Sequence, residues 1–373
     1  MRIGVNTRLL LPGTLEGIGR FSKEVLSRMA LQHPEDEFVF FFDRPFDQKF
    51  IFANNVTPII LAPQSRHPVM WYLWFEKIVS KAIINQKVDV FFSPELYCCL
   101  SVDTPTIMIA HDLAYLHYPD HIPFSHLTYH KYFVPRFLQR ADMVGAVSEA
   151  TMNDLIDNFK VEKEKFFLAY NGPTPGFIPL DHPSKESVLN SVTGGAPYFI
   201  YLGSMHPRKN VDAVIKAYGK FRDNHPGAMH KLVLVGRLAW KSSKIKQAYE
   251  QSPYKEDILP LGQRADANKI LAAAEALIYV SLFEGFGIPI IEAMQCDVPV
   301  ITSNVSSMPE VAGKGALLVD PMRIGGISDA MSKVLDPTVK ESLIKEGQKR
   351  LARYSWEKTS EIVYQNIRSC ITE

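Results

Sequence analysis

Glu284 and Glu292 stand either side of the turn Gly285-Phe286-Gly287-Ile288-Pro289. The apolar run Ala276 to Leu282 before it reads as a buried strand, and Pro289 suits the first turn of a following helix. The two glycines leave the backbone of the turn uncovered, so its amides can come close to a ligand. Those amides lie at a helix N-terminus, which favours phosphate and other oxygen-rich groups. Glu284 is placed at the carboxyl edge of the strand and Glu292 about one turn into the helix. Each carboxylate can accept two hydroxyl hydrogen bonds, so the stretch fits a sugar at one end and a ribose at the other. Two solvated acids on an ordinary strand–loop–helix corner would have the same spacing.

A second group, Gly203-Ser204-Met205-His206-Pro207-Arg208-Lys209-Asn210, follows another apolar run and opens a helix. Arg208 and Lys209 could neutralise a departing diphosphate there. Without an anion the placement is poor, because cations prefer the other end of a helix. Gly17-Ile18-Gly19-Arg20 follows the first strand. It is an imperfect dinucleotide fingerprint, with Ser22 in place of the third glycine and Asp43 as the acid ending the second strand. His111-Asp112 ends the run Thr106 to Ala110; a lone histidine there is as a rule a structural hydrogen-bonder. Ser148-Glu149 reads as a helix N-cap, Asn171-Gly172 as a strand-end turn, and Leu261-Gly262-Gln263-Arg264 as a strand end.

These groups need a scaffold that presents strand ends. Runs at Arg2–Leu10, Phe38–Phe42, Ile59–Leu61, Val88–Phe92, Thr106–Ala110, Met143–Val147 and Phe166–Tyr170 alternate with helical stretches, the first of them Ile18 to Met29. The alternation resumes at Tyr198–Leu202, Lys231–Val235, Ile258–Leu261, Leu277–Val280, Val298–Thr302 and Leu317–Val319, and closes with helices at Ile327–Leu335, Val339–Arg350 and Trp356–Cys370. Such alternation predicts an α/β chain with two mostly parallel sheets. The Pro- and Gly-rich stretch Asn171–Ala196 lacks periodicity, and its latter part is read as the hinge. The predicted domains are 1–178 and 195–355, with 356–373 a helix packing back toward the N-terminal domain. Ligands bind beyond the carboxyl ends of such sheets, which places the expected site in a cleft between the halves.

The 373 residues suit two domains of about 170–190 residues each. Apolar residues make up 46% and charged residues 22%, and the formal net charge of +1 offers no case for a nucleic-acid partner. The cysteines Cys98, Cys99, Cys296 and Cys370 lack metal-ligand spacing and read as reduced thiols. Met1-Arg2-Ile3-Gly4 begins a strand at once, and no apolar run approaches a membrane span. The expected location is cytoplasmic. Two aromatic–basic stretches, Trp71–Phe75 with Lys77 and Lys81, and Tyr129–Arg140, fit either core-packed amphipathic helices or a membrane surface or lipid-linked phosphate.

The stretch Glu284-Gly285-Phe286-Gly287-Ile288-Pro289 with Glu292-Ala293-Met294 resembles the E-x7-E motif of the retaining glycosyltransferases of family 4. The resemblance covers nearly the whole chain, most specifically 197–210 and 258–321. It implies the GT-B fold, two Rossmann-like domains facing each other across a cleft. It also implies metal-independent transfer of a sugar from a nucleotide-sugar donor to a hydroxyl of a glycan or lipid-linked acceptor, with no other cofactor. In that reading Arg208 and Lys209 hold the diphosphate; Ser204 stands where many members carry arginine. Glu284, the Gly285, Phe286 and Gly287 backbone and His111 hold the sugar, Glu292 the ribose, and the Arg264 segment the base. Gly17 and Gly19 give close backbone approach to the diphosphate. Retention by front-face attack needs no protein nucleophile. The Pro-Arg-Lys-Asn variant is most similar to mannosyltransferases, which favours GDP-mannose. A GT-B epimerase, an NAD-dependent dehydrogenase and a non-catalytic glycan binder are the competing readings.

Overall fold

The computed structural model of the protein describes residues 1–13, 15, 17–237 and 243–372. Among them the chain forms two α/β units, one of Met1–Gly172 with Ser355–Glu373 and one of Pro173–Tyr354.

In unit 1, seven strands pair in parallel: β1 (Arg2–Asn6), β2 (Glu37–Phe42), β3 (Val56–Ile60), β4 (Val90–Ser93), β5 (Thr106–Ala110), β6 (Met143–Ala146) and β7 (Phe166–Leu168). Their order is β3-β2-β1-β4-β5-β6-β7. Strands such as β5 are buried along their whole length, as expected where helices cover both faces of a parallel sheet. Helix Gly17–Gln32 follows β1. Helix Trp356–Thr372 also belongs to this unit. Its Val363 and Ile367 are fully buried, Trp356 packs edge-on to Phe21 with ring centroids 5.8 Å apart, and Thr359 Oγ1 donates to the Tyr170 carbonyl at 2.7 Å.

The order of the unit 1 strands reverses between β1 and β4. Asn6 and Arg8 leave β1 there, and Ser93 and Glu95 leave β4. Asn6 Nδ2 donates to Ser93 Oγ (3.1 Å) and to Glu95 Oε1 (2.7 Å), while Arg8 grips both oxygens of Glu95. The Arg8 guanidinium lies 4.9 Å from the Tyr97 ring centroid, with Trp71 and Phe75 also close. A charge this deep is tolerated only because its partner and hydrogen bonds are complete.

Unit 2 repeats the plan with β8 (Tyr198–Leu202), β9 (Lys231–Val235), β10 (Ile258–Gly262), β11 (Ala276–Tyr279), β12 (Val300–Ser303) and β13 (Ala316–Val319), in the parallel order β10-β9-β8-β11-β12-β13. Its reversal lies between β8 and β11. The presumed hinge is in large part a helix of unit 2, His182–Thr193, and this corrects the sequence reading. Asp181 caps it by accepting from Ser184 N at 2.9 Å, and Gly194 ends it in a left-handed turn at φ +70°. Only Thr193 is buried along it, so the helix carries no apolar stripe by which periodicity could reveal it.

At the carboxyl ends of β8, β9 and β10 three glycines let the turns meet. Gly203 N donates to the Val235 carbonyl (2.9 Å) and Gly236 N to the Gly262 carbonyl (2.8 Å). A Cβ on Gly236 would lie 1.8 Å from the Gly203 carbonyl oxygen, at a φ of +142°. Gly236→Ala should therefore destabilise the protein by more than the ~1–2 kcal/mol of the backbone conformation alone. Gly194→Ala, at positive φ but with nothing within 4 Å, is the matched control. Chemical denaturation of both variants checks this, and equal losses would contradict it.

Candidate active site

The clearest cluster of the predicted site residues lies at the β8/β11 reversal of unit 2. After β8 the chain makes a 3₁₀ turn, Pro207–Lys209, and then Asn210 takes a left-handed conformation before helix Val211–Asn224. Arg208 and Lys209, which the sequence reading placed at the start of a helix, thus stand on a turn just ahead of it. Asn210 fixes the turn: its Nδ2 donates to the Val280 carbonyl (3.0 Å) and to the Pro321 carbonyl (2.8 Å). Leu282 N donates to the Arg208 carbonyl at 2.8 Å, joining the turn to the segment after β11.

Both cations point at Glu284. Arg208 Nη1 donates to Glu284 Oε2 at 3.0 Å and to the Phe283 carbonyl at 2.9 Å. Lys209 Nζ donates to Glu284 Oε1 at 2.5 Å and to the Tyr279 hydroxyl at 2.9 Å, and that hydroxyl donates to Glu284 Oε1 at 2.8 Å. The Glu284 side chain is 6% exposed, Lys209 12% and Arg208 22%, so the cluster is sunk into the strand ends with Arg208 its most open member. The poor placement of the two cations is thus already answered within the protein by Glu284. Burial pushes the Glu284 carboxyl up, but Lys209 and Arg208 outweigh it and hold it at about 2. Main-chain anchors complete the corner: Ser306 Oγ and Ser307 Oγ donate to the Glu284 carbonyl at 2.6 and 2.8 Å. Tyr279 is a member that the sequence reading missed. Its place as the last residue of β11 was the available signal.

The turn itself is buried. Gly287, at φ +99°, is the N-cap of helix Ile288–Gln295. The Phe286 ring is 4% exposed and packs edge-on to Tyr354 at 5.3 Å, so what Phe286 can offer a ligand comes from its main chain. Glu292 lies one turn into the helix, 5% exposed, and its Oε1 accepts from Thr174 Oγ1 at 2.7 Å. Gln295 holds Thr174 in place, accepting from its amide at 2.9 Å and donating to its carbonyl at 3.0 Å. Thr174 was not predicted. Arg264 is exposed beyond β10 and makes a paired contact with Asp266 at 2.8 Å on each oxygen.

Three predicted residues belong to unit 1. His111 follows β5, its Nε2–H donates to the Pro94 carbonyl at 2.9 Å, and its ring meets Phe21 edge-on at 5.1 Å. Burial lowers its pKa, so the ring is neutral at pH 7. Gly17 begins helix Gly17–Gln32, and a Cβ on it would meet nothing within 4 Å. A Cβ on Gly19 would lie 2.7 Å from the Leu9 carbonyl oxygen, so this glycine is required by packing of the chain itself. The preceding Thr14 and Glu16 lie outside the described residues. Asp43, which a dinucleotide ribose would need, is instead occupied. It accepts from Arg44 at 2.6 and 2.8 Å and from Ser65 N and Oγ at 2.9 Å, and against the raising effect of burial these bonds hold it below the ordinary carboxylate range. Among the described residues no group of three or more His, Cys, Asp or Glu could hold a metal ion. Among the described residues no helix is long and apolar enough to cross a membrane.

A folded-state pKa near 2, below the ordinary 4.5, makes Glu284 stabilising above the unfolded value, with the gain lost as pH falls toward 2. The effect at neutral pH is on the order of 3 kcal/mol. Glu284→Gln should therefore be less stable than the parent at pH 7, and the difference should shrink on acidification from pH 4.5 toward 2. Denaturant titrations across that range check this; a pH-independent difference would contradict it.

Comparison with known proteins gives the family. Residues 187–350 match the family Glycosyl transferases group 1, and residues 16–174 match Glycosyltransferase Family 4. O-antigen chain mannosyltransferase B of Escherichia coli is 26% identical over 357 residues, covering 92% of this chain and 93% of that protein. O-antigen chain mannosyltransferase RfbU of Salmonella typhimurium is 27% identical over 284 residues, 74% of each chain. The crystal structure of HepE from Anabaena, in complex with UDP and glucose, superposes with a TM-score of 0.76 at 17% identity, over 98% of this chain and 99% of that one, and so shares the fold. With each half matched by its own family and both sheets of the expected type, this chain belongs to the group 1, family 4 glycosyltransferases of GT-B fold.

Proposed function

We propose that this glycosyltransferase transfers mannose from GDP-mannose to a hydroxyl of a glycan or lipid-linked acceptor, with retention at the anomeric carbon and without a metal ion. The observation that carries the reading is the convergence of Arg208 and Lys209 on Glu284 at the β8/β11 reversal. Mannose is supported by the relatives, which are named as O-antigen mannosyltransferases. GDP follows from mannose as the inferred sugar.

In this mechanism the bond from the anomeric carbon to the diphosphate breaks, and the electron pair leaves with the phosphate oxygen. The acceptor oxygen bonds to the same face of that carbon, and its proton passes to the departing phosphate. Arg208 and Lys209 stabilise the charge that develops, two fixed cations in a largely dehydrated site. Glu284 then accepts from sugar hydroxyls. Glu292 accepts from the ribose, the Gly285 to Gly287 main chain faces phosphate and sugar, and Arg264 lies on the base segment. His111, held neutral, is a hydrogen-bonding partner for the sugar, and Gly17 and Gly19 belong to the diphosphate loop. An epimerase is distinguished by free epimer formed without acceptor.

Arg208→Ala and Lys209→Ala should each lower turnover by about a hundredfold, the value of one charge-assisted contact with a leaving group. Glu284→Gln releases both cations from their internal partner. It should bind GDP at least as tightly as the parent while transfer falls, whereas Glu292→Gln should weaken GDP itself. Calorimetry with GDP and GDP-mannose, beside steady-state assays, decides this; equal losses of GDP affinity in the two glutamate variants would refute the division of roles.

In a thermal-shift panel of nucleotide sugars, GDP-mannose should give the largest stabilisation, and turnover should survive excess EDTA. A larger shift with a UDP-sugar would overturn the donor assignment, and rescue by magnesium or manganese would overturn metal independence.

A further inference from the structure

Tyr279 ends β11 and is buried, although the rest of that strand, Ala276, Leu277 and Ile278, is apolar. A phenylalanine would fill nearly the same space. What the hydroxyl adds is two contacts among the charges: it accepts from Lys209 Nζ at 2.9 Å and donates to Glu284 Oε1 at 2.8 Å. Both directions are fixed, because an ammonium group can only donate and an ionised carboxylate can only accept. Burial and the adjacent carboxylate raise the Tyr279 pKa well above its ordinary value, so the phenol keeps the proton that Glu284 accepts.

Charge balance does not call for this hydroxyl, since Glu284 already faces both Arg208 and Lys209. Each cation has a neutral partner beside Glu284: Arg208 has the Phe283 carbonyl at 2.9 Å, and Lys209 has the Tyr279 hydroxyl. An entering diphosphate would compete with Glu284 for both cations. A neutral anchor can keep its bond meanwhile, because an ammonium group carries three donors and a guanidinium five. Tyr279 is well fixed for such a part. Its strand lies between β8 and β12, and its carbonyl accepts from Thr302 Oγ1 at 2.7 Å. Its ring stacks on Tyr201, with centroids 6.4 Å apart and 19° between the planes, and a Cβ on Gly287 would come within 3.7 Å of its Cε1. Support of this kind is what holds a reacting group to its aim.

We propose that Tyr279 is the positioning residue of Lys209: its hydroxyl keeps the ammonium group aimed at the leaving phosphate once Glu284 turns to the sugar. The inference rests on the reading that Lys209 meets the diphosphate. It assigns a part in transfer to a residue which that reading does not need.

Release of GDP from GDP-mannose with methyl α-mannoside as acceptor tests it, with UDP-glucose as donor where GDP-mannose gives none. Tyr279→Phe should lower kcat about tenfold, the scale of one hydrogen bond to a charged group, while the Kd of the free nucleoside diphosphate stays within about twofold. In the Lys209→Ala background the same substitution should change kcat by less than about twofold, because the group it aims is gone. Tyr198→Phe is the control for a lost buried hydroxyl. Tyr198 is fully buried on β8, donates to the Ile270 carbonyl at 2.6 Å, and its variant should keep parental kcat. Parental kcat in Tyr279→Phe, a loss of diphosphate affinity as large as the loss in kcat, or losses that add in the double variant would overturn the proposal. So would an equal fall in kcat in Tyr198→Phe. If Arg208→Ala and Lys209→Ala were parental too, or neither donor gave transfer, the proposed reaction would fall and this inference with it. With those two variants impaired, a parental Tyr279→Phe refutes the inference alone.

Discussion

A carboxylate almost without solvent has to be paid for in counter-charge, and at Glu284 that requirement organises the carboxyl edge of unit 2. One glutamate binds two cations and a tyrosine hydroxyl from two different strand ends. The turn Pro207–Lys209, the end of β11 and the start of helix Ile288–Gln295 are thereby tied to one another. The cations are partly desolvated as well, and Glu284 balances the charge of both, while the Phe283 carbonyl and the Tyr279 hydroxyl also hold them. A ligand anion entering here would meet charges already aimed and dehydrated, which is the condition under which electrostatic stabilisation of a leaving group is strongest.

Unit 1 answers the same topological problem in the same way. Strand order reverses between β1 and β4, and a cation after the first strand, Arg8, meets a glutamate after the fourth, Glu95. The environments differ. Arg8 is closed in by Trp71, Phe75 and Tyr97, and Asn6 takes up a further lone pair of Glu95. In unit 2 Arg208 keeps about a fifth of its side-chain surface, 22%, open. A shared plan has thus produced a sealed pair in one unit and an accessible one in the other.

Much of this was legible in the residues alone. Parallel strands buried on both faces appear as short apolar runs, so nearly every strand lay where the runs lay, although β1 stops at Asn6 because the residues after it turn into the Arg8–Glu95 pair. Arg208, Lys209 and Glu284 were recognisable by type and by their positions after strands. That they contact one another was not, since β8 and β11 are adjacent only through sheet order, which no local pattern encodes. Tyr279 was missed because an apolar strand hides the hydroxyl at its last position, and Thr174 because its partner Glu292 is far along the chain and it looks like an ordinary turn residue. Helix His182–Thr193 escaped because caps without an apolar stripe resemble a polar linker. Gly19 was read as room for close approach of a ligand, and the Leu9 carbonyl gives the chain itself a need for the same missing side chain.

The last helix gives the chain a particular order of assembly. Trp356, Val363 and Ile367 fill the interior of unit 1, and Thr359 satisfies the Tyr170 carbonyl, yet all of unit 2 is encoded before them. During synthesis unit 2 is therefore available as one continuous segment while unit 1 still lacks part of its core. The first half keeps an unfilled apolar surface until helix Trp356–Thr372 has been made. A nascent chain of this design would rely on chaperone cover for its beginning, and a fragment cut after Gly172 would inherit the same exposed seam.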